Sequence, residues 1–190
     1  MTSREGATVA RTLDAPLEAV ALVLADPRSY DGVVVGSRRI RWFDPRWPEP
    51  GSRFHHTLGV GPVTLRDFSE VVEDDLPRSL RLLVHLRPIG SAEVVFRLEA
   101  DGSARTHAEI TETPVSGLLA ASWSPPAAAL TRRRNDRVLA RLGEVAAGRA
   151  QAMVRGGAAG GGLQGTSGRP AMSADAGRTP GSGGRATGNT

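Results

Sequence analysis

The stretch Ser124–Gly148, SPPAAALTRRRNDRVLARLGEVAAG, predicts a long helix whose first and last residues are both marked by the sequence. Ser124 can cap a helix, and Pro125 suits the first helical position, where an amide hydrogen has no partner anyway. Gly148 can adopt the left-handed conformation that often ends a helix. Positions spaced by three, four and seven predict one buried stripe: Ala128, Asn135, Val138, Leu139, Leu142, Val145 and Ala146. The helix therefore needs a partner to cover that stripe.

The chain upstream of this helix predicts that partner, an antiparallel sheet. Ala7–Leu13 alternates as a first strand does, and Leu17–Leu24 has a helical pattern that Asp26-Pro27 ends. From Ser37 onward, short runs with period two alternate with turn sequences, which predicts about six more strands. A curved antiparallel sheet of about seven strands around one long C-terminal helix belongs to the α+β class.

Composition excludes several classes of function. The 190 residues suit one domain, and its 24 basic residues are all arginine. Residues 1–148 hold 19 arginines and 19 acidic residues, so the positive excess lies in residues 149–190. A neutral folded part argues against nucleic acid as a partner. The absence of cysteine excludes disulfides, thiolate nucleophiles and cysteine-ligated metals.

The two terminal segments of the sequence predict where the folded domain ends and in which compartment the protein is found. We expect one domain over residues 1–149 and a disordered tail over residues 150–190, since that segment is rich in Gly, Ala, Ser and Arg and poor in large apolar side chains. Met1–Ala15 has no apolar run typical of a signal peptide, and no stretch approaches the roughly 18 apolar residues of a membrane span. We therefore expect a cytoplasmic protein without membrane insertion.

Four separated segments carry a resemblance to a known family: Asp26-Pro27-Arg28-Ser29-Tyr30, Gly51-Ser52-Arg53-Phe54-His55-His56, Thr111-Glu112-Thr113-Pro114, and Arg134-Asn135 before Leu139 and Leu142. Over roughly Glu5–Gly148 the chain resembles the SRPBCC, or START-like, superfamily, and most closely its polyketide cyclase/dehydrase-type branch. The resemblance implies a helix-grip fold, in which the sheet closes on the C-terminal helix around a cavity for a hydrophobic ligand.

Strand alternation and the helical stripe predict which side chains face that interior. The residues predicted to line it are Phe54, His56, Leu58, Leu82, Val84, Val94, Phe96, Ala108, Ile110, Glu112, Asn135, Leu139 and Leu142.

Three of these residues are polar and are the candidates for chemistry. His56 is a candidate general acid or base that titrates near neutrality, a hydrogen-bond donor to a ligand, or a structural histidine satisfied by a neighbour. Glu112 would be driven towards its protonated form by burial unless a partner holds its charge. Asn135 must find a hydrogen bond inside the fold or reach the cavity. His56 and Glu112 are the two candidate catalytic residues.

Other polar clusters are interpreted more simply. His55 and His56 are neighbours on a strand and point to opposite faces, so we predict no metal site. The run Arg132-Arg133-Arg134 is interpreted as a solvated helix face in preference to an anion-binding patch.

These observations favour a module that binds a small hydrophobic molecule, such as a lipid, an aromatic or a polyketide-like compound. The alternative is a cofactor-independent cyclase or dehydrase, in which His56 or Glu112 moves a proton and Asn135 stabilises an oxyanion. A nucleic-acid or scaffold role for the tail is a third hypothesis, which the neutral folded part disfavours. The sequence leaves the oligomeric state open.

Overall fold

Seven strands and four α-helices follow one another in the part of the chain that the computed structural model describes, residues 6–35, 37–60 and 63–160. They are β1 (Ala7–Leu13), α1 (Leu17–Leu24), a 3₁₀ turn (Pro27–Ser29), α2 (Tyr30–Val33), β2 (Ser37–Phe43), β3 (Arg53–Val60), β4 (Val63–Asp75), β5 (Ser79–Leu86), β6 (Gly90–Asp101), β7 (Arg105–Ser116), α3 (Gly117–Ala121) and α4 (Pro125–Gly160). None of these helices is both long enough and apolar enough to span a membrane, within the described ranges.

The strands form one antiparallel sheet in the order β1-β7-β6-β5-β4-β3-β2. The meander from β2 to β7 is therefore continuous, and β1 adds to its far edge. Register aligns side chains across strands, so that Leu82, Val94 and Glu112 form one row on β5, β6 and β7. Because alternate residues share a face, this row points to the same side as the buried core residues. The predicted alternation is confirmed on these three strands.

Helix α4 covers the concave side of the sheet with the predicted stripe. Leu139, Leu142 and Ala146 are fully buried, and they belong to the same apolar cluster as residues of α1 and β1. Gly143 allows a close approach, since a Cβ atom built there would lie 3.2 Å from Cδ2 of Leu13. The helix therefore packs directly on β1 and α1 at this point.

The predicted end of this helix at Gly148 is wrong, because α4 continues to Gly160. A glycine inside a helix costs only about 1 kcal/mol relative to alanine, and Arg149 anchors the next turn. Its guanidinium donates to the carbonyl of Leu22 at 2.6 Å and to the carboxylate of Asp26 at 2.8 Å. Helix α4 thus continues beyond residue 149, the predicted end of the domain. The remainder of the predicted tail, residues 161–190, lies outside the described residues.

Candidate functional site

A cavity of about 380 Å³ lies between the sheet and α4. Its volume falls in the range of pockets that hold small organic molecules, roughly 300–1,000 Å³. Most of the wall is apolar: Val34, Val35, Phe54, Leu82, Val84, Leu86, Ile89, Ala92, Val94, Phe96, Ile110, Leu119 and Val138. Gly59 and the polar residues Tyr30, His56, Ser69, Glu112, Arg134 and Asn135 complete it. The site is thus a mainly apolar chamber with a few polar groups.

The wall contains most of the residues that the sequence predicts: Phe54, His56, Leu82, Val84, Val94, Phe96, Ile110, Glu112 and Asn135. The prediction is wrong for Ala108, Leu139 and Leu142, which are fully buried in the core and do not line the cavity. They lie where the helix and sheet pack against each other directly, so no space is left beside them. The side chain of Leu58 lies outside the described residues.

Among the described wall residues, eleven were not predicted from the sequence: five lie in turns and short helices, and six lie on strands or on α4. Val34 and Val35 follow α2, Ile89 lies in the turn between β5 and β6, and Leu119 belongs to α3. Turns and short helices have no periodicity from which an inward face can be predicted. Tyr30 could have been predicted, because it is the last residue of Asp26–Tyr30, one of the segments that carry the family resemblance.

Glu112, Arg134 and Asn135 form a polar cluster on the α4 side of the cavity. The Nη2 group of Arg134 donates to Oε2 of Glu112, and Nε and Nη2 donate to Oδ1 of Asn135 at 3.4 and 3.1 Å. Side-chain exposure is 8% for Glu112 and 41% for Arg134, so the arginine lies at the boundary between the cavity and solvent. Glu112 therefore has a partner, which is one of its two predicted alternatives. For Arg134 the solvated-face interpretation is wrong, because its long side chain reaches across to β7.

Asn135 has a donor that none of the described residues uses. A guanidinium can only donate, so the atom of Asn135 that faces Arg134 must be the carbonyl oxygen Oδ1. The amide nitrogen Nδ2 is buried and has no hydrogen-bond partner among the residues that the structure describes. An unsatisfied buried donor costs about 1–3 kcal/mol. A ligand oxygen at this point would remove that cost.

His56 lies in the opposite wall, on β3. Its Nε2 is hydrogen-bonded to Oγ of Ser69 at 3.1 Å, while its Nδ1 is buried and has no partner in the described part of the chain. Burial lowers the pKa of His56 to about 4, and the carboxylate of Asp67 opposes this effect only in part. The prediction that His56 titrates near neutrality is therefore wrong. Three strands separate His56 from Glu112 in the order of the sheet.

His55 faces away from the cavity, as the alternation of the strand predicts. Its ring lies 5.4 Å from that of Trp42 and 5.7 Å from that of Phe68, between centroids. Within residues 6–35, 37–60 and 63–160, no group of three or more His, Cys, Asp or Glu residues is placed to hold a metal ion.

Several solved structures share this architecture. A START superfamily protein from Mycobacterium smegmatis matches with a TM-score of 0.58 at 12% identity, over 79% of this chain and 99% of that one. The chain has a START-like, helix-grip fold. The Zhui aromatase/cyclase from Streptomyces sp. R1128 matches with a TM-score of 0.56 at 19% identity, over 83% and 98% of the two chains. A protein from Thermus thermophilus matches with a TM-score of 0.58 at 15% identity, over 75% and 97%.

The comparisons confirm the predicted resemblance at the level of the fold. No protein-family model matches the sequence, and no curated protein matches it significantly. Identities of 12–19% to these three structures show the architecture alone. The ligand and any reaction must therefore be argued from the residues of this cavity.

We expect His56 to make the stability of the folded domain depend on pH. Its pKa is about 4 in the folded chain against an ordinary value of 6.5, so the unfolded chain takes up the proton first as the pH falls. The contribution of His56 to the free energy of unfolding is therefore complete above about pH 6.5. It is lost as the pH falls to about 4, which lowers the free energy of unfolding by roughly 3 kcal/mol. The free energy of unfolding can be measured in urea at about pH 7 and about pH 4.5. The wild type should show most of this loss between the two pH values, whereas His56→Gln should show little of it. His55→Gln is the control, since His55 lies on the outer face of the sheet, and it should still show most of the pH-dependent loss of stability. An equal loss in both variants would contradict the assignment of this loss to His56.

Proposed function

We propose that this protein binds a small, largely apolar molecule in the cavity between its sheet and α4. The observation that carries the proposal is the cavity itself, about 380 Å³ with a mainly apolar wall. Protein interiors are close-packed and seldom leave voids larger than a water molecule. A chamber of this size is therefore more than imperfect packing would leave.

The character of the wall supports an organic ligand over water or an ion. Aliphatic and aromatic side chains from β5, β6 and β7 form one side. The polar groups other than Tyr30 lie in two separate places, around Asn135 and around His56. Such a wall gains free energy by removing apolar surface of a ligand from water, about 25 cal/mol for each Å². The separate polar groups would orient the ligand.

Conversion of the ligand, of the cyclase or dehydrase type, is the alternative use of the same cavity. The similar fold of an aromatase/cyclase is its main support. Against it, Glu112 is already paired with Arg134, and His56 is neutral at pH 7 with Ser69 as its partner. The residues of the wall therefore favour binding over proton transfer. The proposed binding of a ligand needs no cofactor.

Binding can be tested with N-phenyl-1-naphthylamine, an uncharged dye whose fluorescence rises in apolar surroundings. We expect a saturable rise with the wild-type protein. Val84→Trp should weaken binding by about 10-fold or more, because Val84 lines the cavity and the larger ring would fill it. The matched control is Leu83→Trp on the same strand, since Leu83 points to the other face and is absent from the wall.

A wild-type protein that fails to bind the dye would contradict the proposal. Equal weakening by Val84→Trp and Leu83→Trp would place the dye elsewhere on the molecule. Ligands retained during purification should be extracted and incubated with fresh protein. Chemical conversion that His56→Gln abolishes would favour the enzyme over the binding module.

A further inference from the structure

We infer that the cavity selects uncharged ligands that carry a hydrogen-bond-accepting oxygen, such as a ketone, an ester or a hydroxyl group, and that Asn135 supplies the donor. This inference rests on the proposed function, because it gives the chemical class of the ligand for the same cavity. It follows from the unused donor of Asn135 and from the balance of charge in the wall.

The first step is the hydrogen bond that the site can offer. Asn135 is 1% exposed and lies in the cavity wall, and its Nδ2 has no partner within the described ranges. Arg134 holds Oδ1 and thereby orients the amide. An acceptor oxygen on the ligand would complete the hydrogen bonding of this side chain.

The second step is charge. Among the described wall residues, four are titratable: Tyr30, His56, Glu112 and Arg134. Burial raises the pKa of Tyr30 well above its ordinary value and lowers that of His56 to about 4, so both are neutral at pH 7. Arg134 and Glu112 form an ion pair. The wall therefore carries no net charge, and a charged ligand would enter an apolar space without a free counter-ion.

The third step concerns Arg134, which is the obvious partner for a carboxylate ligand. Its Nη2 group already serves Glu112, whose side chain is 8% exposed. A ligand carboxylate that drew the guanidinium away would leave Glu112 buried without its partner. Since an unpaired buried charge is strongly unfavourable, the pair opposes carboxylate binding.

Three naphthalenes with the same ring system test the inference by displacement of N-phenyl-1-naphthylamine at neutral pH. They are 2-acetylnaphthalene, 2-ethylnaphthalene and 2-naphthoate. The ketone should bind about 10-fold more tightly than the hydrocarbon of nearly equal size, as one hydrogen bond to a buried donor implies. It should also bind at least about 10-fold more tightly than the carboxylate. Asn135→Leu, similar in size but without a donor, should lower the ratio of ketone to hydrocarbon affinity by about 10-fold or more, because the ketone oxygen would then be buried without a hydrogen bond.

The control is Asp136→Asn, at the next position on α4, where the side chain is half exposed and pairs with Arg11 instead of lining the cavity. It should keep the ratio of the wild type. Equal affinity for ketone and hydrocarbon in the wild type would overturn the role of Asn135 whether or not the leucine variant folds. Tightest binding of 2-naphthoate would overturn the preference for uncharged ligands and leave the proposed function standing. Absence of dye binding would instead contradict the proposed function and this inference together.

Discussion

Replacing Leu139 or Leu142 with alanine is expected to lower the free energy of unfolding by about 2–5 kcal/mol in each case. Both side chains are fully buried in the cluster that joins α4 to α1 and β1. Neither lines the ligand cavity, so each substitution opens a new void that the close-packed surroundings can fill only in part. The loss should therefore appear in the protein without any ligand, as a lower midpoint in urea unfolding followed by circular dichroism.

Arg133→Ala is the matched control on the same helix. Arg133 is exposed, and its removal should change the free energy of unfolding by no more than about 0.5 kcal/mol. Equal losses at Arg133, Leu139 and Leu142 would mean that a different face of α4 packs on the sheet.

Replacing Arg134 with methionine is expected to lower the free energy of unfolding by about 2–4 kcal/mol at neutral pH. Methionine keeps much of the apolar stem but leaves the carboxylate of Glu112 buried without its partner. The expected value lies below the 3–5 kcal/mol typical of a fully buried pair, because the Arg134 side chain is 41% exposed and water screens part of the interaction. Adding Glu112→Gln to this variant removes the unpaired charge and should recover at least about half of the loss.

Arg97→Met supplies the comparison for that experiment, because Arg97 pairs with Glu109 on β7 at the surface, with 60% and 32% of the two side chains exposed. Its substitution should cost no more than about 1 kcal/mol. A loss for Arg134→Met as small as this would show that the pair with Glu112 is an ordinary surface pair. Failure of Glu112→Gln to recover stability would show that the arginine acts through packing and not through charge.

The strands and the helices α1 and α4 were predictable because each depends on neighbours along the chain. Phe96 and Leu98 alternate with Arg97 and Glu99 on β6, and this local pattern indicates which face of the sheet is dry. The stripe of α4 is likewise a local repeat, and Leu139 and Leu142 are buried as predicted. The end of α4 was not predictable from Gly148, because Arg149 contacts Leu22 and Asp26, which lie more than a hundred positions earlier in the chain.

The order of the strands with α1 and α4, the dry face of the sheet and the α+β class could thus be predicted from the chain alone, since periodicity acts over a few residues at a time. The three-dimensional packing was needed to show that Leu139 fills the core while Val138 lines the cavity, because both belong to the same stripe. It also decided that Arg134 turns inward to Glu112 and that His56 stays neutral. The physical reason is that charge pairing and the cost of burial depend on distances between residues that are far apart in sequence, and a linear pattern contains no such distances.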